Sequence, residues 1–450
     1  GHDSDSLDKG DTRSHLFTKT VMNLSLNNYT SSMLEIDYQK TSNDNYLKVF
    51  NLESPLLLQN NDVLESIIKL DLEHEDYDLT ASFEMYETLN GSNTDRYQYV
   101  LPSYSFSKNF GEENLGGSFN LNSYGDNTLS ETNVTTSTLL NDLNFTSYSA
   151  FFGNGIKTNF EVQLKNVNSI GKNSTKYKNS PQSELMSAYN YNISMPLLKK
   201  NKNSNNILIP KLSFRLSPHE MKNNKNTSRR VDIDNVFASN RLSLSDSLEA
   251  GESVTLGLDF TKEKLTIKEK ILEVEKYLDF KLATVFRLKK EENIPINSTL
   301  GKKTSNIFGK LNFKPNKVLS LGYDFSLTND LNTFEYNSLN TELRYNNFST
   351  LFNYIEERGV IGSTNVMENT TAYNFNENNS LSFSTRRNRK LDLTEYYDLV
   401  YEYKNDCLVA GIKYKKNYYN DADIKPVEEL FFSITIIPLT TFSPDKMVLN

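Results

Sequence analysis

The chain has 450 residues, with 49 Lys plus Arg against 57 Asp plus Glu, a net charge of −8 that excludes a strongly basic nucleic-acid footprint. Hydrophobic residues make up 37%, low for a globular chain, yet 26 Tyr and 26 Phe exclude a disordered composition. One Cys and four His leave no internal disulfide framework, no thiolate metal cluster and little for a histidine metal site.

Apolar residues alternate with polar or small ones from end to end. Ile68, Leu70 and Leu72 face away from Lys69 and Asp71, and Leu79, Ala81, Phe83 and Met85 alternate with Thr80, Ser82 and Glu84. The same period recurs at Leu212 to Leu216, Val254 to Phe260, Leu319 to Leu327 and Leu408 to Tyr414. Successive strand side chains point to opposite faces, so each segment has one apolar face and one polar or small face. Short polar clusters at 201–206, 222–230, 328–330 and 376–379 supply the turns, because Asn and Asp tolerate turn geometry. The segment Lys262 to Leu278 is dense in charge and admits either a helix or a long solvated strand.

This pattern gives roughly 20–23 strands and no break that would mark a domain boundary. No run reaches the ~18 apolar residues of a membrane helix. Barrel strands escape that test, since only every second residue is apolar. An open sheet of this size would expose edges that invite aggregation, and closure removes them. The fold class expected is therefore all-β, a large antiparallel transmembrane β-barrel spanning residues 1–450. A soluble propeller would show a repeat of ~40–50 residues, which is not seen. Trp is absent, so an interfacial aromatic girdle must use Tyr and Phe, as at Tyr396–Tyr397 and Tyr418–Tyr419. The chain begins with Gly1 and carries no basic-then-apolar leader, which reads as a processed product or a fragment.

Candidate chemistry is sparse. The acidic run Glu73 to Asp78 around His74 suits a divalent cation less well than a solvated strand end. Pro218-His219-Glu220 lacks the second His of a zinc protease, and the glycines at 111, 116 and 117 lack the Lys of a phosphate loop. The densest constellation is Asp234, Asn235, Asn240, Arg241, Asp246 and Glu249, just before a strong strand. A permanently charged Arg among carboxylates is costly to bury unless paired. An ion-pair network facing a lumen or lying in a loop is the expectation, with no catalytic residue, cofactor or metal.

At that segment the sequence resembles the outer-membrane lipopolysaccharide-assembly (LptD, organic-solvent-tolerance) family. The stretch is Asp234-Asn-Val-Phe-Ala-Ser-Asn-Arg241, then Asp246, Glu249, Gly251 and the strand to Phe260. Ser42 to Leu47 and Val100-Leu-Pro102 match upstream. Pro295, Ser298, Leu300, Gly309 and the stretch Tyr401 to Pro426 follow in order downstream. The resemblance implies insertion of lipopolysaccharide into the outer leaflet of the outer membrane. It also implies a lipoprotein plug in the lumen and a periplasmic bridge protein that delivers the lipid to an N-terminal jelly roll. The jelly roll and the first few barrel strands are expected to lie outside this chain. A porin or a gated nutrient receptor is the alternative.

Two further expectations follow. Pro438 cannot donate a ladder hydrogen bond, so the last strand, Leu430 to Pro438, either carries a weak seam for lateral lipid release or simply ends there. Cys407 stands beside Asn405 and Asp406 in an apparent turn, and an exported chain meets an oxidising compartment. The resemblance places Cys407 where the family's barrel is tied by a disulfide to its N-terminal domain, outside this chain.

Overall fold

The computed structural model describes residues 14–49, 63–89, 95–110, 116–268, 271–418, 427–436, 440–442 and 447–448. Among these residues twenty-five strands belong to one sheet. The first nine are β1 (His15–Asn23), β2 (Ser31–Thr41), β3 (Val63–Glu73), β4 (Tyr77–Thr88), β5 (Tyr97–Phe110), β6 (Gly117–Ser130), β7 (Val134–Ser147), β8 (Ala150–Phe152) and β9 (Ile156–Lys172). Next come β10 (Gln182–Ser194), β11 (Leu197–Lys200), β12 (Ser204–Ser217), β13 (Gly251–Lys268), β14 (Ile271–Arg287), β15 (Ile307–Phe313), β16 (Leu319–Leu327), β17 (Phe334–Tyr345) and β18 (Phe348–Glu357). The last are β19 (Asn365–Asn374), β20 (Asn379–Asn388), β21 (Leu393–Lys404), β22 (Leu408–Asn417), β23 (Val427–Ile436), β24 (Thr440–Phe442) and β25 (Met447–Val448). A single helical turn, α1 (Tyr46–Val49), follows β2.

Every ladder is antiparallel, and each long strand pairs with its sequence neighbours. β8 and β11 are short continuations of hairpins, pairing with the ends of β9 and β12. This is an all-β meander of the size of a large barrel wall. Among the described residues no ladder joins β1 to β23. The alternating segments read from the sequence all fall within strands. The segment Lys262 to Leu278 is two strands, the far end of β13 and the near end of β14, paired as Lys262↔Leu278 and Leu265↔Val274.

Register keeps one face apolar across the sheet. Ile68 lies opposite Phe83, Phe214 opposite Val254, Val254 opposite Phe286, and Ile412 opposite Phe432. Apart from half-buried Val254 these side chains stay exposed, so among the described residues the apolar face meets no second layer of the protein. Aromatic contacts mark both ends of the strands. Tyr29 and Tyr77 meet edge-to-face at one end, and Tyr397 and Tyr418 at the other.

The two ends differ in their connections. At one end lie short turns such as 74–76, 346–347, 375–378 and 405–407; at the other lie the long loops 173–181, 218–250 and 288–306. Outer-membrane barrels keep short turns on the periplasmic side and long loops outside. The buried core sits beside the long loops. Val231, Ile233, Val236, Leu242 and Leu244 of loop 218–250 cluster with Ile294 and Leu300 of loop 288–306. The same cluster takes in Ala283, Val285 and Phe308 from the polar face of β14 and β15. A strand face that reads as small or polar in sequence thus becomes the floor under an inserted loop.

Candidate functional site

The loop 218–250 is held against the polar face by charge as well as by apolar packing. Arg241 donates through Nε and Nη2 to the two carboxylate oxygens of Glu249, at 2.7 and 2.6 Å. Its remaining donors reach Thr255 Oγ1 (3.0 Å) and Ser253 Oγ (2.9 Å) at the start of β13. Arg287, at the end of β14, donates to the same carboxylate at 2.5 Å. Arg215, at the end of β12, donates to Ser239 O (2.5 Å) and to Glu249 O (3.3 Å). Three buried guanidiniums therefore surround one buried carboxylate. Arg215 Nε and Arg287 Nε are buried without a hydrogen-bond partner. Burial alone would raise the Glu249 pKa, but Arg241, Arg215 and Arg287 outweigh it and hold the carboxyl far below the usual range.

Two glycines make room for this arrangement. Gly251 has φ +89°, and a Cβ there would meet Arg287 Nη2 at 2.8 Å. A Cβ on Gly257 would stand 2.5 Å from Cζ of Phe237, the loop ring that packs on β13.

The other residues of the predicted network are placed apart from this cage. Asp246 accepts from Tyr177 Oη at 2.8 Å and pairs with Lys176 at 2.9 Å, both in loop 173–181. Asp234 pairs with Lys310 of β15 at 2.7 Å. Asn235 closes a local turn, its Oδ1 accepting from Asp232 N at 2.9 Å. The backbone carbonyl of Asn240 accepts from Ser243 N at 2.9 Å. Arg241 and Glu249 thus share one cage, Asp234 and Asp246 anchor the loop elsewhere, and Asn235 and Asn240 make turn bonds within it. The sequence reading missed Arg215, Arg287 and Lys165. Buried Lys165 of β9 reaches Asp142 on β7 (2.7 Å) and Ser245 O in the loop (2.8 Å). Their only sequence signal is a long basic residue at a polar-face position of a strand.

The loop anchors have a definite pH signature. Burial raises the Asp246 pKa, but hydrogen bonds from Lys176 and Tyr177 overcome that and leave it lowered. Tyr177 is pushed up to about 12 by burial and by that carboxylate. Burial lowers the pKa of His219, whose ring bridges Leu248 O (3.1 Å) and Ser217 Oγ (3.4 Å). A lowered folded-state pKa gives stability that is complete above the unfolded value and fades as pH falls toward the folded one. His219 therefore weakens the loop mildly below ~6.5, whereas Glu249 and Asp246 hold until the pH falls below ~4. Proteolysis of the assembled protein should leave 218–250 protected at pH 5. Wholesale release at pH 5 would mean that the carboxylates do not anchor it.

Cys407 is exposed in turn 405–407 at the short-turn end. Its backbone N–H donates to Asn405 Oδ1 at 3.0 Å, which also accepts from Leu408 N at 2.8 Å. β23 ends at Ile436, and Pro438 lies outside the described residues. Among the described residues no group of acidic, His and Cys side chains is arranged to hold a metal. His74 stacks on Tyr77 with ring centroids 4.7 Å apart, beside turn 74–76.

Comparison with known proteins gives a family. The model for LptD, LPS transport system D, matches residues 12–385. No curated protein matches the chain. Among solved structures, the chain is similar to the siderophore receptor PirA from Acinetobacter baumannii, at 8% identity and a TM-score of 0.38, covering 95% of this chain and 74% of that one. It is also similar to the hemophore receptor HasR of Serratia marcescens, at 8% identity and a TM-score of 0.37, covering 96% and 76%. For the copper transporter OprC the values are 8%, 0.30, 85% and 71%.

Proposed function

The chain belongs to the LptD family of the LPS transport system, an outer-membrane family, and on that premise we propose that it inserts lipopolysaccharide into the outer leaflet. The family match carries this reading. The lipid has a large anionic sugar head and several acyl chains. The polar face of the sheet suits the head, and a seam between strands lets the tails leave sideways into the bilayer. No covalent step is required, so the reading assigns no catalytic residue. Residues 1–450 are read as one barrel domain, working with a lipoprotein plug and receiving lipid from a periplasmic bridge protein. Depleting the protein from its host should stop newly made lipopolysaccharide from reaching the cell surface. Continued delivery under verified depletion would refute the proposal.

Within this reading, Cys407 forms a disulfide with a cysteine outside the chain. Its exposure in a short turn supports this, since short turns of such barrels face the oxidising periplasm. Non-reducing electrophoresis of the full-length protein should show a mobility shift that Cys407→Ser removes. Complete labelling of Cys407 by a thiol reagent in unreduced mature protein would rule the bridge out.

A further inference from the structure

The cage around Glu249 holds more positive charge than the side chains about it neutralise. Glu161, Asn190, Arg215, Ser253 and Arg287 are direct cross-strand partners, a row over β9, β10, β12, β13 and β14 on the polar face. Arg241 joins the row from the loop, through Glu249 and Ser253 Oγ. Three guanidiniums, each more than nine-tenths buried, therefore stand against two carboxylates. One of the two, Glu161, lies beyond Asn190 and accepts from Asn159 at 3.2 Å and Asn192 at 3.0 Å. The surrounding charges do not make up the difference. Lys165 pairs with Asp142, and Lys176 with Asp246. Glu252 is exposed, on the face opposite to Ser253. One unit of positive charge is left in a buried place, where an uncompensated charge is costly.

Donors are left over in the same place. Arg215 gives Nη1 to Asn190 Oδ1 and Ser239 O, and Nη2 to Glu249 O. Arg287 gives Nη1 to Glu249 Oε1 and Nη2 to Ala250 O. The two guanidiniums thus converge on consecutive backbone carbonyls, and each keeps a buried Nε–H with no acceptor. Buried donors in folded proteins nearly always have an acceptor, from the protein, from water or from an ion. The next residue, Gly251, leaves space beside them. Chain neighbours apart, the only atoms of the described residues within 4 Å of where its Cβ would stand are Nη2 and Cζ of Arg287. Gly251 is only half-buried, which gives a small ion a way in.

We propose that the cage binds one small monovalent anion of chloride size beside Gly251. The spare N–H of Arg287 donates to it, and it neutralises the charge that Arg215 brings. The site itself selects this ligand. Three guanidiniums fix its sign, and charge-assisted N–H donors are the strong partners of an anion. The single unit of surplus charge fixes its valence. The gap left by a missing Cβ fixes its size, which excludes a sugar, a lipid headgroup or a nucleotide. The bound ion closes the cage and tightens loop 218–250 over the polar face, so the anion content of the medium sets how firmly that loop is held. This inference goes beyond the transport reading and does not depend on it.

The test uses the full-length protein with its partners, purified throughout in sodium gluconate, whose anion is too large for the gap. Sodium chloride then replaces the gluconate at a constant ionic strength of about 0.15 M, so that screening does not change. Chloride should slow proteolysis of loop 218–250 on the order of tenfold, as a ligand that binds only the closed cage must. Bromide should do the same, and sulfate should not. Arg215→Gln removes the surplus charge and should abolish the chloride effect. Lys413→Gln, in β22 far from the cage, should keep it. Heat-modifiable electrophoresis shows whether each variant assembles. Should Arg215→Gln fail to assemble, crystals of the unaltered protein soaked in bromide decide, and an anomalous peak at Arg287 Nε is the expected result. Equal cleavage in gluconate and chloride overturns the site and leaves water as the partner of both Nε–H groups. A chloride effect that persists in assembled Arg215→Gln also overturns it, as does a bromide soak with no peak beside Gly251. Lipid delivery is not the readout, so failure of the anion site leaves the transport reading standing.

Discussion

Replacing Glu249 with Leu should abolish the assembled barrel, measured as loss of the heat-modifiable species in membranes, and lipopolysaccharide delivery should fall with it. Among the described residues the carboxylate is the only anion contacted by Arg241 and Arg287, and all three side chains are about 2% exposed. Removing one partner of a buried pair costs ~3–5 kcal/mol, because the other charge is left uncompensated. Here the loss leaves three guanidiniums facing one another, with two of their N–H groups already unpartnered. Arg241→Ala should cost less, since Arg287 still neutralises the carboxylate. Arg241→Met combined with Glu249→Leu should recover part of the assembly that Glu249→Leu alone loses, because an apolar pair removes both a charge and its orphan. An Arg241→Ala protein that assembles normally yet delivers no lipid would show that the cage acts on substrate, and the structural reading would fail.

The strands were legible because their signal is local. Leu319 to Leu327 alternates without a break, and β16 spans those same residues. The Lys262 to Leu278 segment resisted because its charges are dense, and only pairing across β13 and β14 decides it. Much of the polar network lay beyond local reading. Arg241 and Glu249 stand eight residues apart, inside the group that composition picks out, and bond directly. Arg215 and Arg287 reach the same site only through the register of β12, β13 and β14. Conversely, Asp234 and Asp246 are near neighbours in sequence but anchor to β15 and to loop 173–181. Proximity along an irregular loop says little about where each side chain lands.

The apolar content of that loop was also hidden. Val231, Ile233, Val236, Leu242 and Leu244 follow neither period, so they looked like scattered residues in a polar linker. They are buried because the facing strand positions are small or apolar: Ala283, Val285, Phe308 and the bare Gly257. Outward-facing Ser123, Asn141 and Asn166, paired across β6, β7 and β9, were illegible for the opposite reason. Polar residues at apolar-face positions read as noise in a single strand, and only alignment of several strands turns them into a feature.

These anchors all lie on the arc from β7 to β15, and that unevenness bears on where the wall can open. No ladder joins β1 to β23 among the described residues. β23 pairs along its whole length with β22, from Leu408↔Ile436 to Asn417↔Val427. Its other edge meets only Thr440–Phe442 and Met447–Val448 among the described residues. We place the lateral seam at this edge as part of the transport proposal, because parting β13 from β14 would tear the floor beneath the loop core. A disulfide between Ile436→Cys and a cysteine placed on the first strand of the full protein should therefore block lipopolysaccharide delivery, and reduction should restore it. The equivalent link between β13 and β14, through Leu258→Cys and Leu282→Cys, should leave delivery intact, because those residues are directly paired neighbours. Undiminished delivery with the Ile436 link verified would remove the seam from the mechanism, and lipid would have to leave by another part of the wall.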